Sequence, residues 1–232
     1  MKTPLILTLS LIPSLAAAQG FEGAAVELQY QKYDDGAGFE VDSLEGYMDA
    51  AWTFGRVGAQ VGLTLGKEID SSDDIDLRQY NGLAAHVTYD ATDSLRLGVM
   101  ALVDNQTSGV SHYAAEALYL NGPLRVEGRI GDTLDRDDYT VIEARGSFAF
   151  GPAFSARAGF HHADFGVDGS YRVLSLGAGY KVNDGLEVYA DLGRHRNDFG
   201  GGDVFQGDVF NLGVRFGLGG DPDRLFSFQP LN

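Results

Sequence analysis

The segment VFNLGVRFGL, Val209 to Leu218, alternates apolar and polar residues with a period of two. Its even-numbered positions are all apolar, whereas the other positions include Asn211, Gly213 and Arg215. Successive side chains of a β-strand point to opposite faces of the sheet, so the alternation predicts a strand with one apolar face.

The same alternation continues through residues 24–218 and never changes to the 3.6-residue period of a helix. It divides into about twelve segments, each close to the length that crosses a bilayer when tilted. Short connections such as Gly55-Arg56 and Gly151-Pro152 alternate with longer acidic ones that begin at Lys67 and Asp132. The pattern predicts an all-β fold: a closed antiparallel up-and-down transmembrane β-barrel of about 12 strands, with 10 or 14 as alternatives.

The first residues have the three parts of a secretory signal peptide. Lys2 supplies the positive charge, Leu5 to Leu15 form an apolar core too short to span a bilayer, and Ala16-Ala17-Ala18 is a small-residue cleavage site. We therefore predict three parts of the chain: a signal peptide at 1–18, the barrel at 19–218, and a periplasmic C-terminal tail at 219–232.

Composition and the absence of certain motifs limit the partners and reactions that we expect for this chain. The formal net charge of −16 argues against a nucleic-acid partner, and the absence of cysteine excludes disulfides and thiolate metal sites. The sequence contains neither H-E-x-x-H nor G-x-S-x-G, and the adjacent Ser111 and His112 fall on opposite faces of their strand. We predict no enzymatic activity, no cofactor and no metal site.

Aromatic residues recur on the apolar parity beside the short connections. Outer-membrane barrels carry such belts at their membrane interfaces. The predicted girdle consists of Trp52, Phe54, Tyr89, Tyr119, Phe148, Phe150, Tyr180 and Phe216.

The last strand carries a motif known from bacterial outer-membrane barrels. Asn211, Gly213, Phe216 and Leu218 match their assembly signal, polar-x-Gly-x-x-apolar-x-apolar. With the pattern over residues 24–218, the chain resembles a porin-type bacterial outer-membrane β-barrel protein. The resemblance implies an outer-membrane location, assembly by the barrel-assembly machinery, contact with outer-membrane lipid and lipopolysaccharide, and passive diffusion of small hydrophilic solutes or ions.

The chain departs from that family after Leu218, where the signal usually ends the protein. Here GGDPDRLFSFQPLN follows. One interpretation is a disordered periplasmic extension, which the glycines and Pro222 favour. The other is that Leu225, Phe226 and Phe228 fold into the lumen or bind a periplasmic partner.

The polar parity predicts the lining of the lumen. Its charged positions, the predicted pore-lining residues, are Glu27, Glu45, Asp49, Arg96, Glu116, Arg125, Glu127, Arg129, Glu143, Arg145, Arg157, Arg172, Asp191 and Arg215. Basic residues dominate strands seven to ten and acidic residues strands one and two. Two hypotheses fit this distribution: a basic wall that faces an acidic wall across a channel, or ion pairs between adjacent strands that fill the lumen.

Two acidic loop runs have alternatives of their own. Divalent cations bound at Asp70, Asp73, Asp74 and Asp76, or at Asp132, Asp135, Asp137 and Asp138, would bridge to lipopolysaccharide; a simply solvated loop also fits. For the whole chain, the alternatives to a channel are a non-conducting barrel that displays its loops for adhesion or structure, and a secreted soluble barrel with a lipophilic ligand.

Overall fold

The computed structural model describes residues 20–72, 78–104, 111–133, 139–199, 201, 204–219 and 221–227. The predicted signal peptide, Phe228 and most of both acidic runs (Asp73, Asp74, Asp76, Asp135, Asp137 and Asp138) lie outside the described residues.

Twelve strands follow one another along the described part of the chain. They are β1 (Phe21–Asp34), β2 (Glu40–Phe54), β3 (Val57–Ser71), β4 (Gln79–Asp90), β5 (Leu95–Asp104), β6 (Ser111–Asn121), β7 (Leu124–Thr133), β8 (Thr140–Phe150), β9 (Phe154–Asp164), β10 (Ser170–Asn183), β11 (Leu186–Asp198) and β12 (Val204–Leu218). Two short 3-10 helices, Gly166–Asp168 and Pro222–Arg224, follow β9 and β12. No helix in the described ranges has the length and hydropathy needed to cross a membrane.

The strands form one closed antiparallel barrel. Each strand pairs with its neighbour in sequence, and β1 closes the ring by pairing with β12 from Ala24 opposite Leu218 to Asp34 opposite Asp208. Closure leaves no unpaired sheet edge. The predicted up-and-down barrel is confirmed, with twelve strands among the described residues.

The barrel places its apolar parity outside and its polar parity inside. Leu176 and Leu192 point outward with 72% and 68% of their surface exposed, whereas Gln60, Thr64 and Arg96 are buried inside at 1%, 0% and 3%. A soluble barrel has the opposite distribution, because water then contacts its outer face.

The two ends of the barrel differ. At the short-turn end, Gly55 and Gly122 occupy positive φ angles of 70° and 58° in tight two-residue turns. The connections at the long-loop end begin later than the sequence pattern indicates. For example, Lys67 to Ser71 were predicted to be loop but belong to β3, because the hydrogen-bonded ladder with β2 continues past a bulge at Asp42 to the pair Val41 and Ser71.

Candidate functional site

The barrel interior has a filled part and a cavity. The filled part lies against β3 to β7, where buried side chains pack together: Tyr80, His86, Met100, Leu102, Glu116, Leu118 and Arg129. A cavity of about 460 Å³ lies against β1, β2 and β7 to β12.

A row of charged side chains crosses the filled part from β4 to β9. His86 Nδ1 lies 2.7 Å from Glu116 Oε2, and Arg129 lies 3.9 Å from the other oxygen of Glu116. Arg129 Nη2 is 2.9 Å from Glu143 Oε2, and His161 Nδ1 is 3.0 Å from Glu143 Oε1. Buried charges are stable only when paired, so this row explains how the charged residues on these strands are accommodated.

Tyrosine hydroxyls satisfy the acids of β1 and β2. Tyr47 and Tyr80 both donate hydrogen bonds to the carboxylate of Glu45, which is 2% exposed. Tyr189 donates to Glu27 and, at 2.9 Å, to Gln29. These contacts hold the acidic side chains against the barrel wall with their oxygens hydrogen-bonded.

Residues 221–227, which we call the inner segment, turn back from β12 into the barrel at the short-turn end. The Asp221 amide donates to the Glu22 carbonyl at 2.7 Å, and Arg96 donates to the Arg224 carbonyl at 2.9 Å. Arg96 also pairs with Glu22 at 2.6 Å and Asp90 at 2.8 Å, and Arg224 contacts the same two acids at 3.1 and 2.8 Å. This four-residue cluster fixes the start of the inner segment.

Polar groups of β3 and β7 hold the backbone of the inner segment. Gln60 accepts from the Phe226 amide at 3.0 Å and donates to the Phe226 carbonyl at 2.7 Å. Arg125 donates to the Leu225 carbonyl at 2.8 Å, and Glu127 accepts from the Ser227 amide at 3.0 Å. The backbone is therefore hydrogen-bonded although it runs through the interior of the barrel.

The two apolar side chains of the inner segment are fully buried. Leu225 packs against Ala25 and Ala51, and the ring of Phe226 stacks on His86 with centroids 6.1 Å apart. Phe226 also lies against Gly98, where an added Cβ would approach its ring to 3.0 Å. The inner segment thus completes the filled part. Of the two predictions for the tail, its Leu225 and Phe226 follow the one that places them in the lumen, so residues 221–227 do not extend away from the barrel.

Charged residues of both signs border the cavity. Arg157 lies 3.1 Å from Asp191 and places its guanidinium 3.9 Å from the centre of the Tyr189 ring. Arg215 donates to the Pro222 carbonyl at 2.9 Å and lies 3.8 Å from Asp223 of the inner segment. The inner segment is therefore also one wall of the cavity.

The cavity extends along most of the height of the barrel. Gly122 and Pro123 line it at the short-turn end, and Gln31 and Tyr171 line it near the long-loop end. The rings of Tyr33 and His195 lie beyond the lining residues at that end. Tyr33 stacks on His195 at 4.4 Å, and His195 lies 6.0 Å from the lining residue Tyr171. The lining of the cavity thus reaches from the short-turn end to the level of Tyr171.

The predicted pore-lining residues fall into three groups. Eight border the cavity: Glu27, Glu45, Arg125, Glu143, Arg145, Arg157, Asp191 and Arg215. Five lie inside the barrel but away from the cavity, among the filled part and the inner segment: Asp49, Arg96, Glu116, Glu127 and Arg129. The last, Arg172, lies outside.

Arg172 was assigned to the wrong face of its strand. It is two residues from Leu174, which points outward and is 59% exposed, whereas Tyr171 and Val173 line the cavity. Residues two positions apart share a face, so Arg172 points outward with Leu174. The alternation through Leu174, Leu176 and Ala178 already places Arg172 on the outer face.

The basic and acidic groups are interleaved in space. Arg129 of β7 pairs with Glu143 of the neighbouring β8, as the hypothesis of adjacent-strand pairing expects. On the other hand, Glu27 and Glu45 border the same cavity as Arg145 and Arg157, which lie on nearly opposite strands of the ring. Adjacent-strand pairing thus occurs in the filled part, whereas acidic and basic residues of distant strands border the same cavity.

The predicted girdle residues lie on the outer surface near the short-turn end. Phe54, Phe150 and Phe148 are 63%, 58% and 44% exposed, and Trp52 is half-buried with its ring 6.0 Å from Phe21. The remaining members, also exposed, are Tyr89, Tyr119, Tyr180 and Phe216.

The four residues of the predicted assembly signal divide between the two faces of β12. Asn211 borders the cavity and Gly213 lies against the ring of Tyr189, whereas Phe216 and Leu218 point outward.

The sequence pattern did not identify the backbone carbonyls of Pro222, Arg224 and Leu225 as partners of interior arginines. The sequence feature that pointed to this segment was the apolar pair Leu225 and Phe226 within an otherwise polar tail.

The architecture has solved counterparts. A KdgM porin shares 10% identity at a TM-score of 0.56, over 83% of this chain and 98% of that one. An outer-membrane channel from Pseudomonas putida F1 shares 16% identity at 0.58, over 87% and 96%. The CymD monoaromatic hydrocarbon channel shares 10% identity at 0.55, over 96% and 94%.

The chain has the fold of outer-membrane porins and channels. This agrees with the resemblance drawn from its last strand and its alternation, and it concerns the fold alone because all three identities are low. No family model matches the sequence, and no curated protein sequence matches it.

Proposed function

We propose that this protein is a channel of the bacterial outer membrane through which small hydrophilic solutes or ions diffuse passively. In this proposal the apolar outer face contacts lipid, the short-turn end faces the periplasm and the long loops face the outside. Residues 1–18 would direct export and be removed, and the assembly signal on β12 would be read by the barrel-assembly machinery.

The observation that carries the proposal is the polar cavity that runs from Gly122 at the short-turn end to Tyr171 near the long-loop end. A barrel built only as a structural element could fill this space with side chains, as β3 to β7 do. Charged side chains line the cavity, including Arg145 and Arg157, and such groups favour water over packed apolar contacts.

The inner segment sets the width of the proposed pathway. Its Asp221, Asp223 and Ser227 border the cavity, while Leu225 and Phe226 fill the other side of the lumen. Solutes would therefore pass beside the inner segment, between it and β8 to β12. A path that occupies only part of the lumen suits small solutes better than large ones.

Both signs of charge along the pathway favour solutes that are polar and not strongly charged. Asp191 faces Arg157, and Arg215 lies near Asp223. Paired charges present donors and acceptors to a passing solute with a small net field.

A cysteine scan in planar bilayers tests the pathway, because the chain has no cysteine of its own. Ser175 lines the cavity on β10, and its neighbour Leu176 points outward. Treatment of Ser175→Cys with a charged, water-soluble methanethiosulfonate should lower the single-channel conductance by about half or more, because the added group narrows the path.

The control is Leu176→Cys, which the same reagent should leave unchanged because that side chain faces lipid. Refolding of each variant is checked by heat-modifiable migration on gels. Bilayers without channel events for the unmodified, folded chain would reject the channel and support a non-conducting barrel. Equal block of both variants would reject this pathway.

A further inference from the structure

Three arginines form a patch on the outer face of the barrel near the long-loop end. Arg172 of β10 lies directly opposite Arg196 of β11, and Arg194 is two residues below Arg196 on the same outward face. His162 of β9 lies opposite Arg172 on its other side. The arginine patch therefore spans β10 and β11, with His162 of β9 beside it.

Like charges directly opposite each other in a sheet repel and destabilise the pair. No acidic side chain of the described residues lies within 4.0 Å of Arg172, Arg194 or Arg196, and all three are exposed. The nearest acids by register are Asp208 beside Arg194, and Asp164 and Asp198 in the row above. The patch has its basic groups grouped in the middle and its acids at its margins.

The height of the patch corresponds to a lipid headgroup region. Below Arg172 on the same face, Leu174, Leu176, Ala178 and Tyr180 form a continuous apolar stripe. At about 3.3 Å per residue this stripe covers roughly 20 Å along the strand. Arg172, with Arg196 opposite it, lies about 7 Å above Leu174 by the same rise, just beyond the apolar band. Arg194 lies opposite Leu174, at the upper edge of that band.

The rim at β1 and β2 carries mainly acidic side chains on its outer face. The outward positions at the same end of β1 and β2 include Asp34, Glu40 and Asp42, and Lys32 there is paired with Glu40 at 2.6 Å. Among the described residues, a cluster of arginines without an acidic side chain within 4.0 Å is therefore a local exception in a chain with a net charge of −16.

We propose that Arg172, Arg194 and Arg196 form a binding site for the phosphate groups of lipopolysaccharide in the outer leaflet. Guanidinium groups bind phosphate through two parallel hydrogen bonds, and a phosphate between Arg172 and Arg196 would offset their mutual repulsion. The site rests on the proposed orientation in the outer membrane. It requires no cation bridge, in contrast to the acidic loop runs considered from the sequence.

The test measures binding of purified lipid A to the full chain in detergent micelles by native mass spectrometry. Three probes are compared: lipid A with both phosphates, lipid A from which the phosphates have been removed enzymatically, and inorganic phosphate. Arg172→Gln/Arg196→Gln should weaken binding of the phosphorylated lipid about tenfold or more, since it removes both partners of the bidentate contact.

The matched control is Lys32→Gln/Lys67→Gln, which removes two outward positive charges near the same rim on other strands. It should change the affinity by less than about twofold if the site is local. Equal weakening in both variants, or equal affinity of the wild type for dephosphorylated lipid A, would overturn the proposal. Inorganic phosphate that competes at the affinity of the lipid would assign the patch to free phosphate instead.

Channel conductance of the same variants separates this proposal from the proposed function. Arg172 and Arg196 point away from the cavity, so Arg172→Gln/Arg196→Gln should conduct like the wild type. Conducting channels without selective lipid A binding would overturn the phosphate site and leave the channel intact. Selective binding of lipid A without conductance would overturn the channel and leave the phosphate site intact.

Discussion

The side-chain amide of Gln60 binds the backbone of Phe226 on both sides, with its oxygen 3.0 Å from the Phe226 nitrogen and its nitrogen 2.7 Å from the Phe226 oxygen. Gln60 lies on β3 and is 1% exposed. The two bonds reproduce the pairing that a neighbouring strand would offer. They hold the inner segment where no strand is available.

Gln60→Leu should loosen the inner segment. Leucine has a similar size but no polar atoms, so the buried amide and carbonyl of Phe226 lose their partners at a cost of about 1–3 kcal/mol. Hydrogen exchange of the Phe226 amide should become faster, while exchange in the β8 and β9 amides stays unchanged. Gln31→Leu, at a cavity position away from the inner segment, is the control; equal acceleration in both variants would contradict the assigned role.

Deletion of residues 221–232 should widen the channel. Leu225 and Phe226 are fully buried in the lumen, and their removal frees space beside Gly98 and His86. We expect a higher single-channel conductance and passage of larger uncharged solutes in liposome swelling assays, because the path then occupies more of the lumen. The double variant Leu225→Ser/Phe226→Ser, which retains the chain length, should give a smaller change in the same direction. A folded deletion variant with wild-type conductance would show that the inner segment does not limit the path.

Arg157→Gln should shift ion selectivity toward cations. This change removes a positive charge from the cavity and leaves Asp191 without its partner at 3.1 Å. The ratio of potassium to chloride permeability, from reversal potentials in a salt gradient, should rise roughly twofold or more. Asp191→Asn should lower the ratio. Arg172→Gln, the same change on the outer face, is the control and should leave the ratio unchanged.

Arg129→Met should destabilise the barrel. Arg129 is 5% exposed and lies within 4 Å of both Glu116 and Glu143. Its loss removes one cationic partner from each of two buried carboxylates, which then keep His86 on Glu116, and His161 and Arg145 on Glu143. Breaking a buried ion pair typically costs about 3–5 kcal/mol. Urea unfolding in lipid vesicles measures the change. Lys32→Met, which breaks an exposed pair with Glu40, should have little effect. A similar loss of stability in both variants would show that the buried row of charges stabilises the barrel no more than an exposed ion pair does.

The barrel itself was predictable because closure and polarity follow from short-range alternation. Period two over residues 24–218, together with short and long connections in turn, predicted about twelve antiparallel strands, with 10 or 14 as alternatives. Parity also placed Glu27, Arg145 and Arg157 inside, where they border the cavity. Arg172 was predicted on the wrong face, because it shares its parity with Leu174, which points outward.

The sequence pattern could not predict which part of the interior is filled by side chains and which part is a cavity. Whether Arg125 faces a cavity or a backbone carbonyl depends on where residues 221–227 lie, and alternation contains no information about a segment that belongs to no strand. Pairings such as His86 with Glu116 join strands two apart in the ring, so they depend on side-chain lengths and barrel curvature.

The contacts of Arg224 join the two ends of the barrel sequence. Arg224 binds Glu22 of the first strand and Asp90 of the fourth, and it follows directly after the strand that closes the ring. Pairing of β12 with β1 places the inner segment beside these partners. We therefore expect protection of the inner segment from protease to distinguish closed barrels from unclosed ones.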